Sequence, residues 1–436
     1  MDNRKGTSTD SAKGPPGEWR TYYGWRVVGV STIIHGVMGG LGHVGFSVYF
    51  LPLARDFGVS HTKMSFAFAL RTLEGGLEGP IIGFLVDRLG GRKMVLFGVL
   101  LGGIGFILMA ATNTYMLFLI VFLGLVTVGM SVPHHGLFAT INQWFRRRLG
   151  FAMSLAISGS GIGGAIITPI VAWIILNHGW RYASVFSGLL LLIIGLPLVS
   201  LVKSPQPGEN ALEDLNTGNA KPGGATGDVG ETVVQGFDMD FSIGQALRTS
   251  TYWLLSFAIA MRLTGQQVLM VHIVPILVSR GISEGVAASL VALMSLMRLP
   301  SVLALGFLSD KWSREKMASV AMLSGTIAAL CGVWGPNGVM TGIILVLFFS
   351  LAQGSNAITW ALVGQYFGRK NFASLRGGIS LFQSILSTGG PIAAGWIFDN
   401  TGSYQIALIG IGGAYLLGAI TFWILKTPPN PINSNS

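Results

Sequence analysis

Charge is scarce in this sequence: Asp, Glu, Lys and Arg make up only 11% of its 436 residues, against about a quarter in ordinary soluble domains. Cysteine is scarcer still, and the single Cys331 excludes an intrachain disulfide and any cysteine-rich metal site. The first 20 residues contain no apolar core of the kind a cleaved secretory signal needs, so the first apolar run itself is expected to direct membrane insertion. No nucleophile, base and acid constellation and no nucleotide motif is present. The glycine run GSGIGGA at 159–165 lacks the P-loop Lys-Ser/Thr and reads as a close helix-packing surface. The adjacent His134 and His135 project about 100° apart on a helix and have no further ligands in sequence, so no metal site is expected. Neither an enzyme nor a bound cofactor is indicated.

What abounds is apolar: 51% of the residues are hydrophobic and 62 are glycine. Twelve apolar runs are long enough to cross a hydrocarbon core of about 30 Å, which takes roughly 20 residues each. They fall near 25–51, 64–86, 94–111, 115–141, 149–176, 183–202, 250–279, 285–309, 317–335, 339–364, 373–398 and 405–425, called spans 1 to 12 below. Lipid leaves no partner for open backbone groups, so the expectation is an all-α membrane protein.

The net charge of +10 could suggest nucleic acid, but the bases alternate by loop. With both termini cytoplasmic, 19 peripheral bases face that side, among them Arg88, Arg92, Lys93, Arg146, Arg147, Arg148, Lys311, Arg314 and Lys316; four (Arg55, Lys63, Arg181, Arg280) face the other. That asymmetry orients the chain in a cell membrane with both termini inside. It points to a lipid bilayer and not to nucleic acid.

The sequence also repeats. GFLVDRLGGRK at 83–93 and GFLSDKWSREK at 306–316 are 223 residues apart, and without a gap the match extends from Gly58 against Gly281 through spans 2 and 8. At an offset of 222, NQWFRRR at 142–148 matches GQYFGRK at 364–370 and Pro169 stands against Pro391. Two pseudo-symmetric six-helix bundles follow, 21–202 and 248–427, with tails at 1–20 and 428–436. The Gly-, Pro- and acid-rich segment 203–247 is expected to be a cytoplasmic linker, and Ser242 with Gln245 at capping-box spacing starts a short helix before span 7.

Five ionisable residues fall deep inside spans: Arg71, Glu74, Glu78, Arg262 and Arg298. Each costs roughly 2.5–3.5 kcal/mol at a helix centre, so each is a functional candidate. Arg71, Glu74 and Glu78 share one face of span 2 and can form a structural clamp or a site. Glu74 is 13 residues from Asp87 and Arg298 is 12 from Asp310, which puts both roughly 18–20 Å from the basic turns, near mid-membrane. His134 in span 4 and Asn356 in span 10 are repeat mates at similar depth, and Gln266 lies in span 7. In that layer three arginines face two glutamates, and an anion would balance them. Such a layer between repeats suits a transported substrate.

The paired clusters, Asp87 with Arg88, Arg92 and Lys93, and Asp310 with Lys311, resemble the signature between helices 2 and 3 of the major facilitator superfamily. The resemblance implies a latch that holds the cytoplasmic side closed. YYGWRVV at 22–28 and WFRRRLGFAMSLAISGSGIGG at 144–164 resemble, within it, the monocarboxylate porter and oxalate/formate exchanger branch. That resemblance implies a secondary transporter of a small organic anion, a monocarboxylate with a proton. Arg298, the only Arg of span 8, would be the carboxylate ligand, with Arg262, His134, Asn356 and Gln266 around it. Glu74, Glu78, His43 and Arg71 would serve proton coupling, His43 standing within about a residue of the branch's span 1 Lys. Met294 stands where the branch has an Asp one turn before the Arg, and the exchangers' span 11 Lys is missing. The alternatives are a drug/proton antiporter, whose Gly-Pro signature is absent from Gly161-Ile162-Gly163-Gly164, and a non-transporting sensor on the same scaffold. The orientation has a direct check. In a Cys331→Ser background, Gly218→Cys should resist an impermeant thiol reagent applied to intact cells; labelling from outside would reverse the topology.

Overall fold

The computed structural model describes residues 23–43, 45–145, 149–205, 241–368 and 372–428. Both tails (1–20 and 428–436) except residue 428, most of the 203–247 linker, and Arg146, Arg147, Arg148, Arg369 and Lys370 lie outside the described residues. Among the described residues, α-helices and two π-helical stretches form the twelve expected spans. Span 1 is α1 (Tyr23–Met38), a π-helical turn Gly39–His43 and α2 (Phe46–Asp56); span 2 is α3 (His61–Leu89) and span 3 is α4 (Gly91–Ala110). Span 4 is α5 (Tyr115–Val121), a π-helical stretch Phe122–Thr127 and α6 (Val128–Trp144); spans 5 and 6 are α7 (Leu149–His178) and α8 (Trp180–Ser200). After the short α9 (Ile243–Leu247) come span 7, α10 (Ser250–Ser279), span 8, α11 (Glu284–Lys311), and span 9, α12 (Arg314–Trp334). Span 10 is α13 (Val339–Gln353) with α14 (Ser355–Phe367), span 11 is α15 (Phe372–Thr401) and span 12 is α16 (Gln405–Ile424).

Among the described residues, ten of the twelve spans are long and apolar enough to cross a bilayer on composition alone. The other two are α3, which carries Arg71, Glu74 and Glu78, and α15. Several helices run past the apolar runs, because caps and not lipid thickness end them. Span 2 begins at His61, where the Ser60 side chain accepts from the Lys63 amide at 3.3 Å, and it ends where Gly90 takes φ 81°. Only a residue without a Cβ adopts that backbone freely. The capping box before span 7 is present, with the Gln245 amide donating to Ser242 Oγ at 3.3 Å and the Ser242 amide to Gln245 Oε1 at 2.9 Å.

The glycine run of span 5 packs against span 1. A Cβ on Gly163 would overlap the Gly36 carbonyl oxygen, and one on Gly159 would overlap the carbonyl of Thr32. In lipid, where tails are as apolar as leucine, this close backbone approach holds helices together. The two halves meet through three helix pairs: α3 with α15, α7 with α11, and α2 with α10. Large apolar side chains such as Ile193, Trp334 and Trp423 are exposed around the outside, as a lipid-facing surface requires.

Overpacking at the span 1 and span 5 seam should cost about 1–3 kcal/mol or more. Gly163→Val should therefore lower the melting temperature of the detergent-purified protein. Gly410→Ala, whose Cβ would meet nothing within 4 Å, should leave it within error of the parent. Equal melting of the two variants would contradict the close seam.

Candidate functional site

The ionisable residues of the spans divide between the halves. In the N-terminal half, Arg71 Nη1 donates to the carbonyl of Gly42 at 2.8 Å. That carbonyl belongs to the π-helical turn of span 1. Glu74 and Glu78 lie within electrostatic range of Arg71, and His135 within range of Glu78. The clamp expected from their shared face is looser than an ion pair: among the described residues, no Arg71 contact to either carboxylate falls within 4 Å. Among the described residues, Glu74 Oε2 and both carboxylate oxygens of Glu78 are buried without a hydrogen-bond partner, and the two carboxylates lie within electrostatic range of one another. His134 Nδ1 stands 3.0 Å from His35 Nε2, and His35 Nδ1 is 2.8 Å from the Ser31 carbonyl, so His35 donates through Nδ1 and accepts from His134. The His134 side chain is therefore held within its own half. The side chains of His43, Asp87 and Asp310 lie outside the described ones.

The C-terminal half carries the opposite charge. Arg262, 3% exposed, donates from Nη1 to Gln266 Oε1 at 2.8 Å and from Nη2 to Asn356 Oδ1 at 3.1 Å, while its Nε is buried without an acceptor. Asn356 sits in the first turn of α14, just past the Gly354 interruption of span 10. Arg298 is within electrostatic range of Arg262, and among the described residues no carboxylate or other acceptor pairs with it. Three of the twelve spans, 1, 4 and 10, are thus interrupted, and interrupted helices are a recurring way to present backbone and side-chain polarity at mid-membrane. Between the halves lies a cavity of about 210 Å³ lined by Ser47, Phe68, Arg71, Thr72, Gln267, Met270 and Val271. Gln267 Nε2 crosses it to donate to Thr72 Oγ1 at 3.1 Å.

One end of the interface is closed by residues the sequence reading did not select. Asp399, near the end of span 11, accepts from the amides of His61 and Thr62 at 3.0 and 2.8 Å and so caps span 2 from the other half. A carboxylate at a helix N-terminus satisfies free amides and complements the helix dipole. Arg55 pairs with Glu284 at 2.6 Å across the same end. Deeper in, His272 Nε2 donates toward the Pro391 carbonyl at 3.0 Å and Ser65 Oγ at 3.1 Å, and its Nδ1 accepts from the Tyr404 hydroxyl at 3.0 Å. The available signal was the repeat: His61 and Glu284 are mates at offset 223, and Asn177 and Asp399 at offset 222.

At the opposite end, among the described residues, the side-chain hydrogen bonds and ring contacts stay within a half. Arg88 lies 4.5 Å from the ring centroid of Phe84, and Lys311 4.4 Å from that of Phe307. These are the same contact in the two repeats, each base resting on an aromatic one turn back. The halves are joined at the His61 and Asp399 end, and among the described residues no side-chain hydrogen bond or ring contact joins them at the basic turns.

A family model, the Major Facilitator Superfamily, matches residues 28–361 and 253–436, and the chain belongs to that superfamily. It is a membrane transporter and not an enzyme. Similar curated proteins include monocarboxylate transporter 3 of Gallus gallus, 25% identical over 474 residues that cover 100% of this chain and 85% of the relative. Monocarboxylate transporter 12 of Rattus norvegicus is 24% identical, covering 96% of this chain and 88% of that protein. Among solved structures, a D-xylose-proton symporter is similar in fold, with TM-score 0.71 and 13% identity over 94% of this chain and 98% of that one.

If the Asp399 cap holds the closed end, Asp399→Ala should open it. Ser279→Cys in a Cys331→Ser background reports on the cavity of about 410 Å³ beside that end, which Ser279 lines. Its labelling rate in purified protein should rise about tenfold, as expected for losing two or more net hydrogen bonds. An unchanged rate would place the closure elsewhere.

Proposed function

We propose that the protein carries a small organic anion, a monocarboxylate together with a proton, across the cell membrane by alternating access, with both termini cytoplasmic. The observation that carries this reading is Arg298: a guanidinium deep in span 8, beside a second arginine and without a carboxylate partner among the described residues. An unpaired cation in the membrane is costly, and a planar carboxylate that accepts two parallel hydrogen bonds offsets that cost best. The names of the similar proteins, monocarboxylate transporters, agree with it. A cationic drug would meet repulsion at this wall, which disfavours the antiporter reading.

Each half has a part in this scheme. Arg298 is the main charge partner of the carboxylate, with Arg262, Gln266, Asn356 and His134 around it. Glu74 or Glu78, with Arg71 beside them, or His43, carries the proton. The clusters Asp87, Arg88, Arg92 and Lys93, and Asp310 with Lys311, form the latch that engages when the cytoplasmic end closes. Arg88 and Lys311 rest on Phe84 and Phe307 until then.

Uptake of labelled monocarboxylates into proteoliposomes tests the scheme. Uptake should rise as external pH falls, because the proton enters with the anion. Arg298→Lys, which keeps charge but loses the fork, should lose about tenfold in affinity, and Arg298→Gln nearly all of it. A role for Arg298 in neutralising Glu74 or Glu78 makes a different forecast, namely that Glu74→Gln rescues the Gln variant. Normal carboxylate affinity in folded Arg298→Gln, read by calorimetry, would end the proposal.

A further inference from the structure

His61 begins span 2 at the joined end, and its imidazole lies in a slot of rings. The centroids of Phe398, Phe50 and Tyr404 stand 4.3, 5.5 and 6.3 Å from its own, and 20% of its side chain is exposed. Phe50 belongs to span 1, but Phe398 and Tyr404 belong to the C-terminal half, so the slot is complete only while the halves meet. The fit is close: a Cβ on Gly395 of span 11 would overlap the His61 carbonyl oxygen and Ser65 Oγ. Asp399 is the carboxylate that faces the ring, and its oxygens are already committed. Oδ1 accepts from the His61 amide and Oδ2 from the amide and the hydroxyl of Thr62. His61 Nδ1 stands 3.5 Å from Oδ1, too far for a hydrogen bond. The other charged or titratable neighbours are Arg55 of span 1, itself paired with Glu284 of span 8, His272 of span 7, and Tyr404, whose hydroxyl donates to His272. Arg55 repels a second cation. At the repeat-related junction Gly285 of span 8 meets Leu176 of span 5, and Glu284 and Asn177 take the places of His61 and Asp399. Only the His61 junction therefore holds a histidine, the side chain that titrates near neutrality.

We infer that His61 is a proton-binding switch of this end: the neutral ring fills the slot and the halves stay joined, and the protonated ring releases them. A charged imidazole has two ways to recover the hydration it lacks among the rings, and both undo the junction. It leaves the slot for water, or it draws Asp399 toward Nδ1 and off the span 2 amides, so that the cap between the halves is lost. The proton thus binds the open end better than the joined one, and by linkage it shifts the equilibrium toward opening. With both termini cytoplasmic, as proposed, this end faces outward, and external acid opens it before an anion arrives. The switch is separate from the proton carriers of the proposed function: it sits at the first residue of span 2, a dozen or so positions from Glu74, and sets access without itself being cargo.

Opening can be measured in the purified full chain with no anion present, so the outcome depends neither on Arg298 nor on the orientation in the membrane. Spin labels at Asn113→Cys and Asn337→Cys, exposed loop positions of the two halves at this end, report their separation by pulsed dipolar spectroscopy in a Cys331→Ser background. Lowering the pH from about 7.5 to about 5.5 should raise the ratio of long to short separations about threefold or more, within the limit of about tenfold per pH unit that one proton sets. His61→Gln cannot titrate in this range and should keep the short separation at both pH values. His61→Lys carries a fixed charge and should show the long separation already at the higher pH. No change with pH in the unaltered protein, a shortening in acid, or a pH response that survives in His61→Gln would overturn the proposal. If His61→Gln fails to fold, a short separation in His61→Lys at both pH values would overturn it equally.

Discussion

Charge is divided across the pseudo-symmetric interface, and the rest of the structure follows from that division. The buried carboxylates, Glu74 and Glu78, sit in the N-terminal half with Arg71. Arg262 and Arg298 sit in the C-terminal half, where the acids are confined to helix ends. Duplicated helices thus present unlike charge at similar depth. Neither half can neutralise itself fully, so each seeks a partner from the space between them. A proton suits carboxylate oxygens that lack a hydrogen bond, and an anion suits a guanidinium that lacks an acceptor. On the proposed reading the two cargoes are complementary for a physical reason: each meets the charge that its half leaves unbalanced.

Alternating access needs two closures that do not coexist, and the structure has one of them formed. Asp399 caps the N-terminus of span 2 from the opposite half, and Arg55 bridges to Glu284. These are contacts of helix termini, where free amides and exposed charge make a few hydrogen bonds reversible against water. At the other end, Arg88 and Lys311 lie on aromatic rings of their own halves. The balance between closures of this kind is a few kcal/mol, within the reach of a bound ligand that favours one state.

The sequence made the architecture legible because lipid imposes it: apolar runs, basic turns and the 223-residue repeat define twelve spans in two halves. The candidate site was legible only as a layer. Helical rise placed Glu74 and Arg298 at one depth, but the rotation of each helix decided which neighbours they meet. Gln267 and not Gln266 reaches across to Thr72, a difference of one residue and about 100°. His134 and Asn356 are repeat mates, yet one bonds His35 and the other Arg262, partners 99 and 94 residues away in the chain. The hydrogen bond from Arg71 to Gly42 meets a π-helical turn that the apolar run of span 1 does not announce. The Asp399 closure was legible only as a pair of repeat mates, Asn177 with Asp399 and His61 with Glu284, because which ends meet is a relation between two bundles in one state.

The proposed function turns on a carboxylate completing Arg298 in the space between the halves. The most direct measurement is an electron cryomicroscopy structure of the full chain with saturating pyruvate. Density for the anion is expected within hydrogen-bond distance of the Arg298 guanidinium, with no carboxylate side chain on Arg298. A structure in which Arg298 pairs with Glu74 or Glu78 and the anion lies elsewhere would contradict it.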